Sequence, residues 1–200
     1  MYFSASRYWL LDYFGHVLDH DVLRDCLVPV VPPPGRYPGL FFFADDVTLD
    51  RFPVALRKVV SLPRPFPALQ ARKLPSGLVT LEAQDGSGRY LRSVENEGID
   101  FRVVPPQDWE HFFVLSEPMM HAYAILGQPE IGTIRAMSGE TLEALRFVRG
   151  HGGQIGPYAF SLSRNTPALE ALASLAPGTE ESLTLVTRED ESIVLSVARA

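Results

Sequence analysis

Apolar and polar residues recur along this 200-residue chain with two periods, and the changes of period predict its elements. From about Ser6 to Leu27, Leu10, Tyr13, Phe14, Val17 and Leu18 follow helical spacing, with Asp12, His16 and Asp19 on the opposite side. That pattern predicts an amphipathic N-terminal helix facing a core or a partner. Pro29, followed by Pro32, Pro33 and Pro34, ends it, because proline lacks an amide donor and pushes its predecessor toward extended conformations. The stretch PVVPPPGRYPG then reads as a semi-rigid polyproline connector, so residues 1–39 form a helix plus a contact arm.

LFFFA, from Leu40 to Ala44, suits a buried strand, and Asp50 is placed to cap a helix running to about Val60. Pro63, Pro65, Pro67 and Pro75 make the next segment irregular. LVTLEAQ, DGSG and RYLRSV read as strand, turn and strand, and IDFRVVP completes an antiparallel meander. HFFVLS reads as a strand, while MMHAYAIL fits either a strand or a short helix.

The stretch from Ile131 to Ser163 reads as strand, helix over Thr141 to Arg149, glycine-rich loop and strand. Glu140 and Glu143 early and Arg146 and Arg149 late complement a helix dipole, and Gly150 then serves as a left-handed cap. Thr166 and Pro167 start a second helix, PALEALASLA, which Pro177 and Gly178 end. SLTLVT and SIVLSVA around REDE close the chain as an antiparallel hairpin. The expected fold class is α+β in one domain over 1–200. It has a mixed β-sheet, an antiparallel meander in the middle, strand-helix-strand units in the C-terminal half and the amphipathic N-terminal helix.

Composition narrows the function classes. A net charge of -6 and a pI near 5.4 argue against wholesale binding to nucleic acid or to an anionic membrane. Cys26 is the only cysteine, so no intramolecular disulfide or multi-cysteine zinc site can form, and a reducing, cytoplasmic compartment is expected. The N-terminus lacks a basic leader and an uninterrupted apolar run, which points to a soluble, unprocessed protein outside the membrane. Arginine outnumbers lysine 16 to 2, a bias typical of GC-rich coding.

Four groups of residues carry candidate chemistry. GHGGQIG, from Gly150 to Gly156, offers glycines and His151, yet it follows a helix and opens a strand, the reverse of a phosphate loop. If the strands flanking Thr141 to Arg149 are parallel, both strand-to-helix junctions fall on one sheet edge. Ser138, Gly139, Arg164, Asn165 and Thr166 there form a candidate small-molecule or anion site, which would make the chain an enzyme or sensor; the plainer role is helix capping. His16 and His20, four apart beside Asp12 and Asp19, can share a metal on a helix, but no third ligand is in view, so no metal and no cofactor is assigned. His111 and His121 lie in apolar surroundings and read as hydrogen-bonded core or interface residues, and Cys26, beside Asp25, as a buried structural thiol.

The last group is the one basic block, Arg51, Arg57, Lys58, Arg64, Arg72 and Lys73, which holds no carboxylate across 23 positions. It can grip an acidic partner, a phosphate-rich ligand or single-stranded nucleic acid, or simply balance the back half, where residues 105–200 hold 12 acids against 6 bases. No serine sits in a nucleophile elbow, since LPSG lacks the leading glycine. The expected function is therefore a non-enzymatic protein-protein interaction, as an adaptor, assembly factor, or inhibitor or immunity-type partner. Its partner is another protein or a second copy of the chain.

Overall fold

The first departure from the expected pattern comes at Asp12. In a computed structural model describing residues 6–32, 36–44, 46–58, 67–95, 97–103 and 105–200, Gly15 takes a φ of 89°, and the Asp12 carboxylate accepts the amides of Phe14 and His16 at 2.9 and 2.8 Å. That conformation is costly for a residue with a Cβ, and it turns the chain back on itself. β1 (Ser6–Leu11) and β2 (Val17–Asp21) therefore run antiparallel. A second turn follows, in which Asp21 accepts the amides of Leu23 and Arg24, and it leads into β3 (Cys26–Val30). The amphipathic N-terminal helix is absent, because the turn shifts the phase of two short strands so that their apolar residues fall at helical spacing. Pro29 lies within β3 rather than ending a helix, and β3 is an edge strand, where sheets tolerate proline.

LFFFA forms β4 (Leu40–Ala44) as expected. The helix expected from Asp50 is instead extended chain, β5 (Arg51–Val54) and β6 (Leu56–Lys58), broken at Ala55. Its alternation of exposed Arg51, Pro53 and Arg57 with buried Phe52, Val54 and Leu56 is a strand pattern with period two. Val59, Val60, Arg64, Phe66 and the prolines Pro33, Pro34, Pro63 and Pro65 lie outside the described residues, as does the side chain of Lys58. β7 (Leu69–Lys73), β8 (Val79–Ala83), β9 (Tyr90–Val94) and β10 (Gly98–Arg102) follow, the last three forming the meander read around DGSG. HFFVLS contains β11 (Phe113–Ser116), which pairs with β1 from Tyr8↔Ser116 to Leu11↔Phe113.

The chain divides into two compact units, and the first, ending at Glu117, holds these eleven strands. Six pairings in it make a closed circuit. β1 pairs with β4, β4 with β6, β5 with β7, β7 with β8, Val79 of β8 bridges Phe112, and β11 returns to β1. The segment from Arg51 to Lys58 serves both sheets, changing from one to the other at Ala55. The result is a small antiparallel barrel, filled by side chains as narrow barrels are. Leu10, Phe42, Phe52, Leu56, Leu81 and Phe112 lie in its core, with Tyr8 and Phe42 stacked at 5.5 Å and Phe42 and Phe52 at 6.4 Å. Small Ala71 stands between Phe52 and Leu81 in the cross-strand row, which makes room for the ring.

The second unit runs from Pro118 to the C-terminus and includes Tyr37. α1 (Glu117–Leu126) resolves MMHAYAIL as a helix. β12 (Gly132–Ala136), β13 (Arg146–Val148), β14 (Gly152–Ile155), β15 (Tyr158–Ser161), α2 (Leu162–Ala171), β16 (Glu180–Val186) and β17 (Ser192–Arg199) follow. Two three-stranded antiparallel sheets result, ordered β12-β17-β16 and β13-β14-β15. The expected helix over Thr141 to Arg149 is a bridge residue, irregular chain and β13. Leu145 N donates to Leu126 O at 2.9 Å and Phe147 stacks on Tyr123 at 4.3 Å, so tertiary partners override local helix propensity. α2 begins at Leu162, four residues before the expected cap, with Pro167 inside its early turns. Among the described residues the molecule is thus mostly β, with only two α-helices, and the expected α+β fold with its amphipathic N-terminal helix is not seen. Among the described residues no helix is long and apolar enough to cross a membrane.

Candidate functional site

Strand alternation sorts the basic block. Leu69 and Ala71 on β7 and Phe52 and Val54 on β5 point into the barrel, which leaves Arg51 and Arg72 exposed on the outer face. The register sets these two arginines directly opposite each other, Arg51↔Arg72. Lys73 N donates to Asp50 O at 2.8 Å, which ties the end of this strand pair and brings Lys73 beside the two arginines. Together with Thr48, Asp50, Leu74 and Pro75 they line an open cleft of about 570 Å³. The lining carries three cations against one carboxylate, a balance of +2 (3 − 1).

Like charges set directly across a strand pair destabilise it. Among the described residues no hydrogen bond or ion pair engages the guanidinium of Arg51 or Arg72, and their charge is left to solvent. Asp46 also feels Lys73: its carboxyl is held below the usual range chiefly by the hydroxyl and amide of Thr48 and less by Lys73. The remainder of the expected block disperses. Arg57 is exposed on β6 opposite Phe41, in the other sheet, Lys58 is described only in its backbone, and Arg64 is outside the described residues.

A second cleft of about 440 Å³ is lined by Arg92, Pro105, Gln107, Asp108, Trp109 and Glu110. Here Arg92 and Glu110 are both engaged within the protein. Arg92 Nε and Nη2 each donate to Asp100 at 2.9 Å, the guanidinium lies 5.9 Å from the Trp109 ring centre, and Glu110 accepts the amide of Gln107. The bidentate bond from Arg92, followed by that from Arg102, holds the Asp100 carboxyl below its ordinary range. This network braces β9 and β10 and occupies the Arg92 guanidinium.

Asp12, Ser93 and His16 resemble a nucleophilic set only in composition. Ser93 Oγ donates to Asp12 Oδ2 at 2.5 Å and His16 Nδ1 lies 3.5 Å from the same oxygen, so the carboxylate stands between serine and base. A serine activated for attack must face the base, and Ser93 is 1% exposed. The metal pair fails for a related reason. His16 precedes β2 and His20 lies within it, and residues four apart in extended chain are separated by about 13 Å, too far to share an ion. Buried His20 pairs with Asp25 at 3.1 Å, and no group of three metal-binding side chains occurs among the described residues. Cys26 is half-buried in β3. Burial lowers the pKa of His111, and His121 Nδ1 lies 3.3 Å from Tyr37 Oη.

The expected carboxyl-edge site does not assemble. β12 and β15 belong to different sheets, so no crossover sets their ends on one edge. Ser138 and Gly139 are exposed on the tight turn after β12. Arg164 pairs with Asp190 on the surface. Asn165 is buried and spends its amide on structure, donating to Ser161 O and Val186 O and accepting from Val186 N at 2.8, 3.0 and 2.8 Å. Thr166 Oγ1 donates back to Leu162 O at 2.9 Å. GHGGQIG is likewise structural. Gly150 and His151 form the β13–β14 turn rather than a helix cap, and a Cβ on Gly153 would lie 2.5 Å from the Phe160 ring.

Of the expected basic block, Arg51, Arg72 and Lys73 share one cleft with Thr48 and Asp50, whose place there the sequence did not indicate, nor did it indicate the Arg92–Asp100–Trp109 network. The signal for the network was the alternation of RYLRSV and IDFRVV, which sets Arg92 opposite Asp100. No protein-family model and no curated protein matches the chain.

Proposed function

We propose that this chain is a non-enzymatic protein-binding module, an adaptor, assembly factor, or inhibitor or immunity-type partner. It engages an acidic surface of another protein through Arg51, Arg72 and Lys73. One observation carries the reading: two arginines sit directly opposed across a strand pair, with no ion pair on either guanidinium among the described residues. Their mutual repulsion is a cost to the isolated fold, and an acidic partner removes it. The negative charge of the chain as a whole disfavours nucleic acid as that partner, and the single cysteine suits a reducing, cytoplasmic setting.

Fluorescence anisotropy with a labelled peptide rich in glutamate and aspartate tests the proposal. Binding is expected to weaken as salt rises and to fall at least about tenfold, roughly 1.4 kcal/mol, in the Arg51→Gln/Arg72→Gln double variant. Binding that is indifferent to both salt and the substitutions would remove the cleft from consideration. Light scattering across the same salt series identifies the case in which the acidic partner is a second copy of the chain.

A further inference from the structure

We propose that the anion this cleft accommodates is a phosphomonoester dianion carried on a phosphorylated side chain of the partner. The inference rests on the acidic-partner reading above and narrows it. Residues directly opposite on an antiparallel pair have Cβ atoms about 4.5–5.5 Å apart, so Arg51 and Arg72 raise two guanidinium forks from neighbouring points on one face. A carboxylate offers two oxygens in a plane and a single charge. It satisfies one fork bidentately and leaves the other unpaired. A phosphomonoester carries about -1.5 to -2 charges and three acceptor oxygens in a tetrahedral array, enough to meet both forks at once. Its charge also matches the +2 balance of the lining, in which Lys73 adds a point charge beside the forks.

Size and lining favour a phosphate attached to a chain over a free ion. The cleft encloses about 570 Å³ and is open, and Leu74 and Pro75 give it an apolar flank that inorganic phosphate would leave unused. A nucleic-acid backbone fits less well, because each phosphodiester carries one charge and two free oxygens.

Titration calorimetry with four probes tests the assignment: a short phosphoserine peptide, the same peptide with glutamate at that position, inorganic phosphate, and a single-stranded oligonucleotide. The phosphoserine peptide is expected to bind at least about tenfold more tightly than the glutamate peptide and more tightly than phosphate. Arg51→Gln/Arg72→Gln abolishes that preference. Arg51→Lys/Arg72→Lys retains binding to the glutamate peptide and loses the preference, since ammonium groups cannot form the forks. Thermal melting of both double variants at or above the parent midpoint establishes that they fold. Equal affinity for the two peptides overturns the phosphate assignment and leaves the acidic-partner reading intact, whereas binding to neither peptide overturns both. Phosphate as tight as the phosphopeptide overturns the side-chain source, and a tighter oligonucleotide overturns the assignment in favour of a phosphodiester.

Discussion

Asp12 shows how far a residue's role depends on the element that carries it. Helical spacing places it on a solvated face beside His16 and Asp19. In the structure it is fully buried, accepts the amides of Phe14 and His16 and the hydroxyl of Ser93, and thereby ties the β1–β2 turn to β9. Three donors depend on one carboxylate, and each buried donor left without an acceptor costs about 1–3 kcal/mol. Asp12→Ala is therefore expected to destabilise the protein by about 3 kcal/mol, allowing for partial relaxation and entry of water. Asp12→Asn should recover part of that loss, because an amide oxygen still accepts from the two backbone amides while Ser93 rotates to accept from the amide nitrogen. Urea midpoints of the two variants check the order, and an alanine variant within experimental error of the parent would show that the turn stands without its carboxylate. The sequence holds one cue to this role, an aspartate three residues before a glycine, which is a turn signal that the helical apolar spacing outweighed.

At the scale of elements, local pairs were legible and distant ones were not. The β8–β9 turn is written in DGSG, the β16–β17 hairpin in its alternation around REDE, and β4 in its apolar run. The N-terminal strands escaped because each is too short to display its own period, and two turns splice them into helical spacing. β13 escaped for a different reason. TLEALRFVR has good helix formers with acids first and bases last, yet Leu145 N bonds to Leu126 O and Phe147 stacks on Tyr123, both on α1 about twenty residues earlier, while β13 itself pairs with β14. The carboxyl-edge site depended on that helix and disappeared with it, which returned Asn165 to structural use. Its amide fastens the first turns of α2 to Val186 at the end of β16 with both a donor and an acceptor. Asn165→Ala leaves the amide of Val186 without its acceptor and should cost about 2–4 kcal/mol, read as a lowered thermal midpoint. Affinity for the glutamate and phosphoserine peptides should be unchanged in that variant. A change there with an unaltered midpoint would restore Asn165 as a ligand residue.

At the scale of the whole molecule, the basic cleft sits at the end of the β5–β7 pair, one step of the circuit that closes the first unit. Period-two alternation on β5 and β7 turns Phe52, Val54, Leu69 and Ala71 inward and commits Arg51 and Arg72 to the outer face, so a run of cations in sequence becomes one opposed pair plus residues facing elsewhere. The charge block was legible as composition, but its geometry required a register that only the folded sheet supplies. Closure itself has no local signature, since β1 meets β11 across more than one hundred residues and the circuit is completed by a single bridge. That bridge is reciprocal: Val79 N donates to Phe112 O and Phe112 N to Val79 O, both at 2.8 Å, while the Phe112 ring is fully buried in the core. Phe112→Ala removes the ring beneath the seam and is expected to cost about 3–5 kcal/mol, while Phe112→Leu, which keeps most of the volume, should cost about 1–1.5 kcal/mol. Hydrogen exchange gives the sharper readout. In the parent, the Val79 and Phe112 amides should exchange as slowly as those of Phe52 and Ala71, because opening the seam opens the circuit. In Phe112→Ala all four should accelerate together. If Val79 and Phe112 alone became fast while the β5–β7 amides kept their protection, the barrel would be an open sheet that merely touches at this point. The opposed arginines would then owe their placement to the β5–β7 pair alone.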